Sequence, residues 1–92
     1  MKVRSLAEDN RLKSMIDDAI TFPYTGVLVD GIVADNVEIL EEMAEWCRDN
    51  TKDSQGFSMK LRDTYRLIYA FRQPTEAVGF RMRFSEDDDP LD

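Results

Sequence analysis

The spacing of the apolar residues changes along this chain from helical to strand-like near residue 55. In residues 10–50, outside a short segment at 26–34, apolar side chains recur every three or four positions, as in amphipathic helices. In residues 57–84 apolar and polar side chains alternate, which is typical of strands with one buried face. A block of helices followed by a block of strands predicts an α+β fold.

The first helix carries a start signal and is followed by a proline. Ser5 and Glu8 have the spacing of a capping box, in which each side chain accepts a hydrogen bond from the backbone N–H of the other residue. The apolar stripe becomes regular only later, so the helix could begin nearer Asn10. Pro23 is expected to end it at or before Phe22, because a residue that precedes proline avoids helical backbone angles.

Residues 26–34 contain two short apolar runs on either side of an Asp-Gly pair. Asp-Gly readily adopts a type I′ turn, so the segment predicts a tight hairpin, with a single strand and an isolated turn as the alternative. Asp35 or Asn36 can then cap a second helix, which we expect to end near residue 50.

Three alternating runs follow a polar loop and predict three strands. They cover residues 57–62, 65–72 and 78–84. Their alternation gives one apolar face, where both helices would be buried, and one basic face. The predicted architecture is a two-layer sandwich in which two amphipathic helices pack on one face of a mainly antiparallel sheet of three to five strands.

The net charge of −7 is unevenly distributed. Residues 56–84 hold six basic and two acidic residues, whereas residues 85–92 hold five acidic residues and no basic one. We interpret residues 1–84 as a single α+β domain and residues 85–92 as an acidic C-terminal tail, which is expected to be mobile. The sequence allows this tail either to fold onto the basic face or to remain free.

The composition argues against catalysis and against a metal or cofactor site. The chain has no histidine and one cysteine, so it lacks both the commonest general base and the ligands of a zinc site. Its four glycines are scattered, and none belongs to a phosphate-binding loop. Cys47 lies on the apolar stripe of the second helix and is interpreted as a buried structural thiol. We therefore expect a protein that is not an enzyme and uses no cofactor or metal.

The cysteine count and the hydropathy also bear on location. A single cysteine cannot form an intramolecular disulfide, which fits a reducing compartment. The sequence contains no run of apolar residues as long as the roughly 18 that a membrane span needs. We expect a cytoplasmic protein without a membrane partner.

Two charged surfaces are the candidates for binding another macromolecule. On the basic face of the predicted sheet, arginines predominate and favour bidentate recognition of carboxylates or phosphates. The residues of this face are Lys60, Arg62, Arg66, Arg72, Arg81 and Arg83. The acidic side of the second helix is formed by Glu38, Glu41, Glu42 and Glu45. Either surface could also be an ordinary solvated one.

The favoured hypothesis is a small non-catalytic protein-interaction or inhibitor module with a regulatory role. Its partner would be an acidic protein surface or a second copy, so the chain would be a monomer or a homodimer. A second copy could approach along a shallow apolar strip formed by Ile68, Ala70, Ala77 and Gly79. Nucleic-acid binding through the basic face stays an alternative, which the net charge disfavours. The third hypothesis is an inhibitor whose acidic helix mimics nucleic acid.

Overall fold

Residues 2–33 and 36–84, which a computed structural model describes, form four strands and three helices. The strands are β1 (Lys2–Ser5), β2 (Thr25–Val33), β3 (Gln55–Lys60) and β4 (Thr64–Phe71). The helices are α1 (Asn10–Ala19), α2 (Val37–Asn50) and α3 (Pro74–Phe84), and a single 3-10 turn at Leu6–Glu8 precedes α1. The predicted α+β class is confirmed. The predictions for Asp35 and for the tail at 85–92 lie outside the described residues.

The strands form one sheet in the order β1-β2-β4-β3, and every neighbouring pair is antiparallel. β3 and β4 form the hairpin that the alternating pattern predicts, with Gln55 opposite Ala70 and Lys60 opposite Tyr65. β2 returns from the first half of the chain to lie beside β4. The two central strands are therefore β2 and β4, and β1 and β3 are the edges.

Both faces of the sheet are covered, each by different helices. On one face α2 and α3 pack against residues that include Val27, Val29 and Phe71. On the other face α1 and the 3-10 turn pack against Leu28, Ile68 and Ala70. Two helices thus lie on one face of an antiparallel sheet, as predicted. They are α2 and α3, however, and not the first and second helices of the prediction, because α1 lies on the other face. This is possible because the central strands carry apolar residues on both faces.

The starts of α1 and α2 follow the capping signals in the sequence. Asp9 caps α1, and its side chain accepts a hydrogen bond from the N–H of Leu12 at 3.1 Å. Ser5 caps the preceding 3-10 turn instead, so the later of the two predicted starts is the better one. Asn36 caps α2 through a hydrogen bond from Ile39 at 3.3 Å.

The segment around Gly26 brings the 3-10 turn close to the sheet. Leu6 is buried, and a Cβ atom added to Gly26 would lie 2.8 Å from the Cβ atom of Leu6. Any residue other than glycine at this position would therefore push the turn away from β2.

The predicted hairpin at 26–34 is wrong, because β2 runs continuously through Thr25–Val33. The register with β4 shifts between Val29 and Ile32, so Asp30 and Gly31 together occupy the place opposite one residue of β4. This is a β-bulge. Gly31 has a φ of 80°, so the positive φ that Asp-Gly favours serves a bulge and not a chain reversal.

The third predicted strand, 78–84, is also wrong, because these residues belong to α3. Pro74 is the first helical residue, a position at which its missing N–H leaves no helical hydrogen bond unmade. Glu76 accepts a hydrogen bond from the backbone N–H of Gln73 at 3.4 Å, as in half of a capping box. These start signals indicate a helix that the alternating apolar residues conceal.

The change from strand to helix redistributes the apolar residues of this segment. Phe80 and Phe84 are buried, as predicted, and they pack edge-on against Trp46 of α2, with ring centroids 5.7 and 6.4 Å apart. Val78 and Met82, which the strand pattern assigns to the core, are 54% and 78% exposed. A helical turn separates Phe80 from Phe84, whereas Val78 and Met82 lie on the opposite side of α3.

Candidate functional site

The six basic residues predicted to form one face lie in separate places. Lys60 ends β3 and Arg62 lies in the turn after it, both exposed. Arg66 lies in β4, and Arg72 follows that strand. Arg81 and Arg83 lie on α3, which covers the face opposite Arg66. The prediction that these residues share one face of the sheet is therefore wrong, because it required residues 78–84 to form a strand.

Arg66 is held by an ion pair at the bulge of β2. Its Nε atom donates to Asp30 Oδ1 at 2.5 Å, and Arg4 donates through Nη2 to Asp30 Oδ2 at 2.8 Å. Burial alone would raise the pKa of Asp30, but the hydrogen bonds from the two arginines outweigh it, and the pKa is lowered. Arg66 thus stabilises the junction of β1, β2 and β4.

Two further arginines are engaged within the fold. Arg72 lies 3.1 Å from a carboxylate oxygen of Asp53, and its guanidinium lies 4.2 Å from the ring centroid of Phe22. Arg83 lies 3.8 Å from Glu42 on α2. Both side chains are about half exposed, so these pairs contribute little to stability. Their role in binding a partner stays a prediction.

Arg81 borders a basic hollow between α3 and β1. The hollow has a volume of about 510 Å³ and is lined by Lys2, Val3, Arg4, Glu8 and Arg81. Arg4 is already committed to Asp30, and Glu8 lies 3.9 Å from Arg4. The positive charge of this hollow is therefore partly neutralised within the fold.

The four acidic residues of the second predicted surface do lie together. They are exposed on α2 around a shallow depression of about 310 Å³, and they are Glu38, Glu41, Glu42 and Glu45. Arg83 approaches this surface from α3, and Arg48 lies 3.9 Å from Glu45. α2 thus presents a continuous acidic surface whose function stays a prediction.

The apolar strip proposed for contact with a second copy is not accessible. Ile68 and Ala70 are 2% and 0% exposed, because α1 covers them. Ala77 is buried in α3, and Gly79 faces the ring of Trp46. A second copy cannot bind there without unfolding the domain.

The free edge of β3 is the surface that the sequence patterns do not reveal. No strand within residues 2–33 and 36–84 pairs with its outer side. β3 keeps a regular register with β4 over six residues, without a bulge or a proline, and Lys60 is its one charged residue. Proteins usually protect an edge strand with charges, prolines, bulges or shortness. β1, the other edge, is four residues long and carries Lys2 and Arg4.

A hydrogen bond at the end of the hairpin shows which residues of β3 point outward. Leu61 donates its N–H to the carbonyl oxygen of Thr64 at 2.8 Å. Residue pairs in an antiparallel ladder alternate between hydrogen-bonded and non-hydrogen-bonded, so Phe57 and Met59 also point their backbone groups at β4. The residues whose N–H and C=O groups point away from the sheet are Gly56, Ser58 and Lys60.

The side chains of β3 give this edge two different sides. Phe57 and Met59 are half-buried against the core under α1. On the other side Gly56 and Ser58 leave a groove of about 350 Å³ between β3 and α2. The groove is also lined by Ala44, Cys47, Ser54, Leu67 and Tyr69. An extended chain lying along β3 would therefore meet apolar surface on both sides.

The titratable groups of the groove are neutral near pH 7. Burial raises the pKa of the Cys47 thiol to about 11 and the pKa of the Tyr69 hydroxyl to about 12. Cys47 is 6% exposed, which agrees with the prediction of a buried structural thiol. The groove thus favours uncharged side chains.

In the described part of the chain, every helix is too short or too polar to cross a membrane. Compared with protein-family models, with curated proteins and with solved structures, the sequence and fold match none of them significantly.

Proposed function

We propose that this chain is a non-catalytic protein-interaction module that binds an extended segment of a partner protein along β3. The observation that supports this function is the open edge of β3, where Gly56, Ser58 and Lys60 direct backbone N–H and C=O groups away from the sheet. A segment that adds as a further strand would satisfy these groups. The sequence prediction of a protein-binding role is retained, and its location moves from a basic face to a sheet edge.

The two sides of the edge define the chemistry of the bound segment. In a strand, alternate side chains point to opposite faces, so every second residue of the partner would lie beside Phe57 and Met59. These residues would be apolar. The others would enter the groove toward Tyr69 and would be uncharged and of moderate size. Lys60 and Arg62 at one end of β3 favour an acidic residue at the matching end of the segment.

The expected affinity is modest. Each backbone hydrogen bond contributes about 0.5–1.5 kcal/mol net, and association costs on the order of 4–15 kcal/mol of lost translational and rotational freedom. Backbone pairing alone would then bind weakly. Apolar contacts at Phe57, Met59 and the groove would have to supply the remaining affinity, at about 25 cal/mol per Å² of apolar surface buried.

A displayed library of random peptides of about 12 residues tests the proposal. Peptides selected on the wild-type protein would be remeasured on Ser58→Pro, which removes an outward N–H that β4 does not use, and on the matched Ser58→Val. We expect the selected peptides to bind wild type and Ser58→Val and to lose at least about tenfold in affinity for Ser58→Pro. Equal affinity for all three proteins would refute binding at β3.

Two further variants locate the site if β3 is not responsible. Replacing Glu38, Glu41, Glu42 and Glu45 by glutamine removes the acidic surface of α2, and Arg81→Glu with Arg83→Glu reverses the charge of α3. A loss of peptide affinity in one of these variants alone would assign binding to that charged surface. The inhibitor role, nucleic-acid binding, nucleic-acid mimicry and the cytoplasmic location stay predictions from the sequence.

A further inference from the structure

We infer that the segment bound along β3 is β3 of a second copy, so that the two four-stranded sheets join into one antiparallel sheet. This inference rests on the proposed strand addition and names its partner. It follows from the outward backbone groups of β3, from the side chains between them and from the charges at the two ends of the strand.

The backbone of β3 is complementary to itself in one register. In an antiparallel pair, a residue whose backbone N–H and C=O groups point away from its own sheet must lie opposite a partner residue whose groups also point away from its sheet. A pairing centred on Ser58 places Ser58 opposite the partner's Ser58 and Gly56 opposite the partner's Lys60. All three outward residues of each copy are then hydrogen-bonded. A pairing centred on Phe57 would leave Lys60 facing residues beyond the strand, so it satisfies fewer groups.

The side chains of β3 also fit this register. Phe57 would lie opposite the partner's Met59 at non-hydrogen-bonded positions, where Cα atoms approach to about 4.5 Å. Both side chains are half-buried in one copy, and the contact between sulfur and ring would cover them further. On the groove side, Gly56 has no side chain, so the uncharged aliphatic stem of the partner's Lys60 has room beside Tyr69 while its ammonium group extends into solvent.

The charges near β3 do not oppose the pairing. Lys60 is the one charged residue within the strand, and it faces a glycine in this register. Lys52 and Asp53 precede β3, and Arg62 and Asp63 follow it. Antiparallel pairing brings the two charged residues that precede β3 in one copy toward the two that follow β3 in the other copy. The register brings Asp53 toward Asp63 of the partner subunit, but each pair has a net charge of zero, because Lys52 and Arg62 lie beside these aspartates.

The short and charged edge β1 gives no comparable match. Lys2 and Arg4 alternate along it, and Arg4 is committed to the ion pair with Asp30. Bringing two copies of β1 together would place like charges close to each other. The structure thus favours β3 as the edge through which copies join.

Sedimentation velocity tests self-pairing with wild type, Ser58→Pro and Ser58→Val from about 1 µM to about 1 mM. We expect the weight-average mass of wild type and Ser58→Val to rise from 10.7 kDa toward twice that value. Ser58→Pro should remain near 10.7 kDa, with a dissociation constant raised at least about 30-fold, because proline removes the central donor from both copies. Thermal unfolding of each variant shows whether it is folded.

The outcomes separate self-pairing from strand addition in general. A wild-type chain that stays at 10.7 kDa over the whole range would overturn self-pairing, and selected peptides that still bind wild type but not Ser58→Pro would leave strand addition standing. A dimer that Ser58→Pro does not weaken would also overturn self-pairing through β3, since the copies would then join elsewhere, and selected peptides that bind Ser58→Pro as tightly as wild type would overturn strand addition itself. If Ser58→Pro proves unfolded, Lys60→Pro with the matched Lys60→Val serves as the second pair of variants, because the N–H of Lys60 also points outward.

Discussion

The N–H of Leu61 donates a hydrogen bond to the carbonyl oxygen of Thr64 across the β3–β4 turn, at 2.8 Å. This bond determines which residues of β3 hydrogen-bond to β4, and it leaves the backbone groups of Gly56, Ser58 and Lys60 facing away from the sheet. The proposed function and the inferred self-pairing both depend on the outward direction of these groups.

Asp30→Asn should destabilise the fold by about 1–3 kcal/mol near pH 7, because it leaves Arg4 and Arg66 without a charged acceptor at the bulge. The pKa of Asp30 is lowered in the folded state, so its contribution is present above the unfolded pKa and is lost as the pH falls through the folded pKa. Chemical unfolding at a series of pH values measures the difference in free energy of unfolding between wild type and Asp30→Asn.

The control for this variant is Asp63→Asn, in the exposed β3–β4 turn. It should change the free energy of unfolding by less than about 0.5 kcal/mol at every pH. A difference between Asp30→Asn and wild type that stays constant below pH 4, or that grows there, would contradict the ion pair at the bulge.

Phe80→Ala and Met82→Ala test the helix at 74–84. In a strand the two side chains would share one face, whereas in α3 Phe80 is fully buried and Met82 is 78% exposed. We expect Phe80→Ala to cost about 3–5 kcal/mol and Met82→Ala less than about 0.5 kcal/mol in denaturant unfolding. Equal losses would indicate the strand that the alternating sequence suggests.

The Cys47 thiol should react slowly with a disulfide reagent such as Ellman's. It is 6% exposed, and burial raises its pKa to about 11, so that roughly one thiol in a thousand is ionised at pH 8. We expect a rate at least about 100-fold below that of the unfolded chain. Cys47→Ser with Ser14→Cys, an exposed site on α1, is the fast-reacting control. Similar rates for the two folded proteins would show that the groove opens readily.

Salt should strengthen self-association through β3. Each copy carries a net charge of −7, so repulsion between the copies opposes the dimer and is screened as the ionic strength rises. From about 50 to about 500 mM salt we expect the dissociation constant to fall roughly threefold, as measured by sedimentation. Recognition of carboxylates or phosphates by the predicted basic residues would give the opposite trend, because salt weakens those contacts.

α1, α2 and the β3–β4 hairpin could be predicted from the sequence because their signals are local. Asp9 and Asn36 are good helix caps, and the apolar stripes that follow them are regular. α3 was missed because Val78, Phe80, Met82 and Phe84 alternate, and this alternation outweighed the start signal at Pro74. Local pattern alone does not separate a strand from a short helix in which large apolar residues, exposed as well as buried, fall on alternate positions.

The candidate site could not be predicted, because it depends on the order of strands. The open edge exists because β2, more than 30 residues away in sequence, pairs with one side of β4 and leaves β3 outermost. No local pattern around β3 carries this information. The acidic surface of α2 was predictable, since helical spacing alone brings its glutamates together.

Amide hydrogen exchange in β3, followed by NMR at rising protein concentration, tests the central claim most directly. In dilute wild type we expect slow exchange at Phe57 and Met59, which donate to β4, and fast exchange at Gly56, Ser58 and Lys60. As the concentration rises, or as a selected peptide is added, the three outward amides should become protected. Outward amides that stay fast while the mass doubles or the peptide is bound would contradict strand addition at β3.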